Sequence, residues 1–276
     1  MSPDALQLAD LVYESALDLA GIWLLWSLVL RPAARARAHA RPNFLPAWPP
    51  PDSDFLLFLL QVIGCGLAFA VASGQVLALL DLTVESQLII GAAAFQLGML
   101  AAIWIFARFH PGTIGSPPEP LSPRRPWLNG AATLLIAIPL LQATSFYWLG
   151  LLKVWGFPSE QQPLVDLMSR SDQPWPRLVL AILSIVIVAP VTEELIFRAG
   201  IFRYLRTRIP RWAAVVLSAE LFALLHFDVP SFIPLFVLGL VFALAYERTG
   251  RISTTMVAHA LFNLNTLILL LAGVDK

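Results

Sequence analysis

The chain has 276 residues, of which 58% are hydrophobic and 13% charged, with eighteen basic residues balanced by eighteen acidic ones and a mean hydropathy of +0.74. Soluble domains carry about a quarter charged residues, so the composition excludes a water-soluble enzyme, a disordered tail protein and a basic nucleic-acid binder, and leaves a polytopic membrane protein. The single cysteine, Cys65, rules out an internal disulfide framework and a cysteine metal cluster.

Crossing about 30 Å of hydrocarbon takes about 20 mostly apolar residues. In chain order eight segments are expected to span: Leu11 to Leu30, Phe55 to Leu80, Leu88 to Ala107, Trp127 to Gly150, Leu178 to Phe202, Trp212 to His226, Phe232 to Ala245 and Thr254 to Leu271. The first carries Glu14 and Asp18, and the sixth and seventh are short. With no basic stretch before it and no small-residue cleavage site, the first reads as a retained helix. Two proline-rich stretches, Pro42 to Pro51 and Pro111 to Pro126, cannot continue a helix and read as surface linkers. The second divides the chain into a three-helix N-terminal membrane region, 1–126, and a C-terminal five-helix bundle, 127–276, in an all-α protein.

Cytoplasmic connections collect Lys and Arg. The connections after the first, third, fifth and seventh segments hold thirteen, including Arg31, Arg108, Arg206 and Arg251; the other connections and the tails share Lys153, Arg170, Arg177 and Lys276. Both termini are therefore expected outside, with the arginine-bearing connections inside.

A charge near the bilayer centre costs roughly 2.5 to 3.5 kcal/mol, so intramembrane ionisable groups are functional candidates. The fifth segment carries Glu193, Glu194 and Arg198, the sixth Glu220 and His226, and the eighth His259 and Asn263. Glu194 and Arg198 stand at i and i+4, the spacing of an ion pair on one helix face. Glu193 is turned about 100° from Glu194, which leaves its carboxylate for chemistry. Phe222 and His226, and likewise His259 and Asn263, share the i, i+4 spacing. Measured from the basic turn at Arg206 to Arg211, Glu193 and His226 lie about 20 and 22 Å deep, which matches them in depth.

Taken together, Glu193-Glu194-x-x-x-Arg198, Phe222-x-x-x-His226 and His259-x-x-x-Asn263 resemble the three motifs of the CAAX protease and bacteriocin-processing family, which includes the type II CAAX prenyl endopeptidases. The resemblance covers about Arg177 to Leu271, with each motif on its own expected span. It implies an intramembrane glutamic-type endopeptidase that needs no cofactor. In that pattern Glu193 and His226 activate a water, Glu194 and Arg198 hold the site together, and His259 with Asn263 stabilises the oxyanion, with Phe222 as packing. The substrate is expected to be a peptide or membrane-protein tail reached within the lipid bilayer. Nothing in the sequence reads an isoprenoid, and Glu220 lies outside the pattern.

Two other readings compete. Glu193, His226 and His259 are ligand types that zinc accepts with one position open, although there is no His-Glu-x-x-His run and Asn is a poor zinc ligand. Intramembrane acids and histidines also build the proton relays of transporters, or knit a non-catalytic scaffold together.

Overall fold

The computed structural model describes residues 3–39, 45, 47, 48, 50–80, 82–114, 125–157 and 175–271. Most of the two proline-rich linkers and of the long connection after the fourth segment lie outside the described residues. The described chain is helical: α1 (Pro3–Leu25, running on into a π-helical turn, Trp26–Leu30), α2 (Pro32–His39), α3 (Asp52–Leu77), α4 (Val84–Phe109), α5 (Pro126–Val154), α6 (Trp175–Arg206), α7 (Arg211–Leu224), α8 (Val229–Thr249) and α9 (Ile252–Leu271). Seven of these, α2 and α7 excepted, are long and apolar enough to cross a membrane. The protein is thus an all-α, multi-pass membrane protein.

The expected sixth span is the exception in length. As the 14-residue α7, it rises about 21 Å, less than the hydrocarbon thickness of about 30 Å, and His226 falls in the turn beyond its end. The seventh span is longer than its apolar run suggests, because Asp228 caps its start, accepting from the Ser231 backbone N–H at 2.9 Å, and Gly250 ends it with φ 64°.

Within the assembly α3 pairs with α4, and α4 meets α6; α5 packs on α1, α8 and α9; α7 lies at the edge, on α6 and α8. Large apolar side chains cover the outside, among them Leu60, Ile63, Trp104 and Ile187, as lipid-facing helices require. Inside, one cluster draws Phe58, Val62 and Phe106 from α3 and α4, Phe197 and Ile201 from α6, Phe222 from α7 and Phe242 from α8. Small residues permit close approach: a Cβ on Gly239 of α8 would stand 2.9 Å from Ala219 Cα of α7.

Two connections are tied to α6 at its basic end. The buried Arg203 guanidinium donates to the carbonyls of Thr113 at 2.7 Å and of Gly112 and Ala47 at 3.1 Å. Nearby, Phe55 stacks on Tyr204 at 3.6 Å, and Arg208 bonds Asp52 at 2.6 Å.

Candidate active site

The site is built on a helix with an irregular backbone. Within α6, two π-helical stretches, Ser184–Val188 and Leu195–Phe202, flank the α-helical turn Ala189–Glu194 that carries both glutamates. Such wide turns are concentrated at functional sites. The first follows from Pro190. Ala189 N–H bonds Ser184 O five residues back, so in this register the next acceptor, Ile185 O, faces a proline that has no N–H. Asn263 fills the gap, its Nδ2 donating to Ile185 O at 2.8 Å from α9. The sequence puts Asn263 beside His259 in one cavity; in the structure one of its amide N–H groups is already committed to the α6 backbone.

Glu194 is fully buried and anchors two partners. Its Oε1 stands 3.1 Å from Arg198 Nη1, as the i, i+4 spacing predicts, and 3.0 Å from His259 Nδ1. The second contact joins α6 to α9 and was not legible in the sequence. Arg198 lies between two rings, 4.4 Å from the Phe222 centroid and 5.2 Å from that of Phe242. Phe242 is a member of the site that no motif signals, since α8 carries no polar pattern to draw attention to it.

Glu193 points elsewhere, as its 100° offset requires. Its Oε2 faces His226 Nε2 at 3.9 Å and His259 Nε2 at 3.7 Å. These separations are too long for direct hydrogen bonds and of the size that a bridging water closes. This oxygen is shielded from solvent and makes no hydrogen bond among the described residues. The Glu193 and His226 side chains remain 20% and 29% exposed, against 4% for His259, so the site opens on the His226 side.

His226 is held by its own turn. A helix end leaves four carbonyls without partners, which is costly in a membrane. Here Leu221 O accepts from Leu225 N, Phe222 O from His226 Nδ1 at 2.7 Å, Ala223 O from His226 N and Leu224 O from Phe227 N. The histidine ring is therefore part of the helix cap. The turn forces Phe227 to φ 50°, an uncommon conformation for a bulky residue, and Trp148 Nε1 of α5 donates to Val229 O at 2.8 Å just beyond it. Because a carbonyl can only accept, His226 carries its proton on Nδ1 in this contact, and Nε2 is directed at Glu193. With Nδ1 of His259 donating to the Glu194 carboxylate, its Nε2 is directed there too.

The structure thus brings Glu193, Glu194, Arg198, Phe222, His226 and His259 into one constellation and places Asn263 beside it on the α6 backbone. Glu193, His226 and His259, the three ligand types that zinc would accept, are all members of this constellation.

Residues 175–265 match the family model of the type II CAAX prenyl endopeptidase Rce1-like proteins, the segment that carries all three motifs. YdiL of Bacillus subtilis (strain 168), provisionally named a membrane peptidase, is 34% identical over 88 residues, 32% of this chain and 36% of its own. The UPF0177 protein YbdI of Lactococcus lactis is 32% identical over 84 residues, 30% of this chain and 45% of its own. An uncharacterised 24.3 kDa protein of Escherichia coli is 27% identical over 140 residues, 49% of this chain and 58% of its own. The chain spans less than half the length of the first two of these relatives. No solved structure matches it.

Proposed function

We propose that the protein is an intramembrane endopeptidase in which Glu193 and His226 activate a water against a peptide bond. The observation that carries this reading is the orphaned Glu193 Oε2, facing two imidazole Nε2 atoms at 3.7 and 3.9 Å. A water in that gap donates one proton to Glu193 and the other to His226 Nε2, and its lone pair is left for the scissile carbonyl. Its oxygen bonds to the carbonyl carbon. When the C–N bond breaks, the proton taken up by Glu193 passes to the departing amine.

Negative charge then grows on the carbonyl oxygen. The second N–H of the Asn263 amide supplies one donor, and His259, in the form that carries a proton on Nε2 as well as on Nδ1, supplies another. Glu194 and Arg198 position His259 and touch no substrate. The peptide or membrane-protein tail reaches the site through the bilayer or from the side opposite the arginine-rich turn, with both termini of the protein on that opposite side.

The mechanism runs without a metal. Zinc held by Glu193, His226 and His259 is the competing reading, and no step here passes through a metal. The test is cleavage of a fluorogenic peptide by purified protein. Glu193→Gln should lower the rate by at least about 10²- to 10⁴-fold with thermal stability unchanged, and chelation should leave the wild type active. Normal cleavage by Glu193→Gln would make the network structural, as in a scaffold or transporter. Stoichiometric zinc, lost with activity on chelation and restored with it, would replace the metal-free mechanism.

A further inference from the structure

Glu220 is the acid that the site does not use. It lies on α7, nine residues past Arg211 and so about 14 Å into the membrane, half-buried, with no hydrogen bond or ion pair among the described residues. Outside the site, acids of the membrane helices such as Glu247 and Asp18 are partnered, by Arg206 with Arg211 and by Gln142, as is Glu194 within it by Arg198 and His259. Hydrocarbon offers a carboxylate nothing, and such groups in membranes mark a pathway or a partner.

The surroundings say which. Val216, Leu217 and Leu224, at i−4, i−3 and i+4 from Glu220, are all exposed, at 41%, 43% and 49%. They form a lipid-facing stripe with the acid in its middle, because α7 uses its other side, Ala214, Ser218, Ala219 and Phe222, against α6 and α8. A second copy docked by the same stripe would set two Glu220 side chains against each other, which like charges disfavour. A helix bearing a basic residue would complete the pair.

We propose that this stripe is the docking face for the substrate's own transmembrane helix, and that Glu220 selects a Lys or Arg on it. The inference rests on the peptidase reading and gives it a register. The helix α7 ends at Leu224, four residues and about 6 Å past Glu220, and His226 stands in the turn just beyond. A substrate helix lying along α7 therefore presents its cleavable bond at least about 6 Å beyond the basic residue, farther from the arginine-rich turn.

The test uses the full chain in phosphatidylcholine vesicles. Two labelled Leu/Ala peptides of about 23 residues, long enough to span, differ by a single Lys or Leu at the depth of Glu220, and binding is read by energy transfer. Wild type should bind the Lys peptide about tenfold more tightly, a difference of about 1.4 kcal/mol. Glu220→Leu and Glu220→Gln should lose that preference, yet keep wild-type thermal stability and wild-type cleavage of a short soluble fluorogenic peptide. Equal binding of both peptides by wild type overturns the proposal. So does a preference that survives in Glu220→Leu, or a loss of soluble-peptide cleavage in both variants, which would move Glu220 into the chemistry. Normal soluble-peptide cleavage by Glu193→Gln sinks the peptidase reading instead, and the binding preference is then judged by itself.

Discussion

At the scale of single residues, two adjacent glutamates have different surroundings and should fail differently. Glu193 faces a gap and two Nε2 atoms, so in the proposed mechanism its loss should remove chemistry and leave the fold. Glu194 is enclosed with Arg198 and His259, so its loss strands a cation. Removing one partner of a buried pair costs about 3 to 5 kcal/mol, whereas replacing both by uncharged groups of similar volume is often neutral. Glu194→Ala should therefore deplete folded protein, and the pair Glu194→Gln with Arg198→Met should recover part of the loss in thermal stability. Activity in the double variant should stay low, since His259 loses the carboxylate that orients it. If the double variant is no more stable than Glu194→Ala, the ion pair is not what Glu194 holds in place. The i, i+4 spacing made the Arg198 contact readable in the sequence. The His259 contact was not readable, because two helices 65 positions apart carry no shared periodicity.

For a whole helix, α6 shows how a missing backbone donor shapes a site. Pro190 leaves Ile185 O without its N–H, and Asn263 supplies one. The bond also fixes α9 against α6, and with it the position of His259 relative to the glutamates. Asn263→Ala should cost about 1 to 3 kcal/mol, the penalty for leaving a shielded acceptor unsatisfied, since a part-buried carbonyl within a membrane helix has little water to turn to. In a Pro190→Ala background, where a backbone N–H returns, the same substitution should cost less, with a coupling of about 0.5 to 3 kcal/mol in a denaturant double-mutant cycle. Additive effects would show that the two residues do not share this role. Nothing in the sequence announces a five-residue register, because π-helical turns have no residue signature comparable to a cap. Spacing alone thus assigned Asn263 to the cavity and left its tie to the backbone unseen. The length of α7 was hidden for a similar reason: Leu225 and Phe227 continue its apolar run, while the backbone turns away after Leu224.

Taken as a whole molecule, the helical class, the membrane setting and the positions of the long helices were legible from hydropathy, since length and apolarity are what the bilayer selects. The division at the second linker was less informative about packing: Phe58 and Phe106 on one side of it share a core with Phe197 and Phe242 on the other. Orientation rests on the arginines. In a Cys65→Ala background, single cysteines near the termini and between Leu151 and Pro176 should react with impermeant reagents from outside the cell. One placed at Thr207, in the basic turn after α6, should react only after permeabilisation. Labelling of the Leu151 to Pro176 connection from the cytoplasm would reverse the whole arrangement.

The self-sealed end of α7 bears on how the protein is made. Each of its last four carbonyls is satisfied within three or four residues of the turn, and Asp228 serves the first turn of α8. No polar loop therefore has to be threaded across the bilayer between these two helices. The pair can enter from the arginine-rich side as one hairpin, with His226 carried in the turn at its tip.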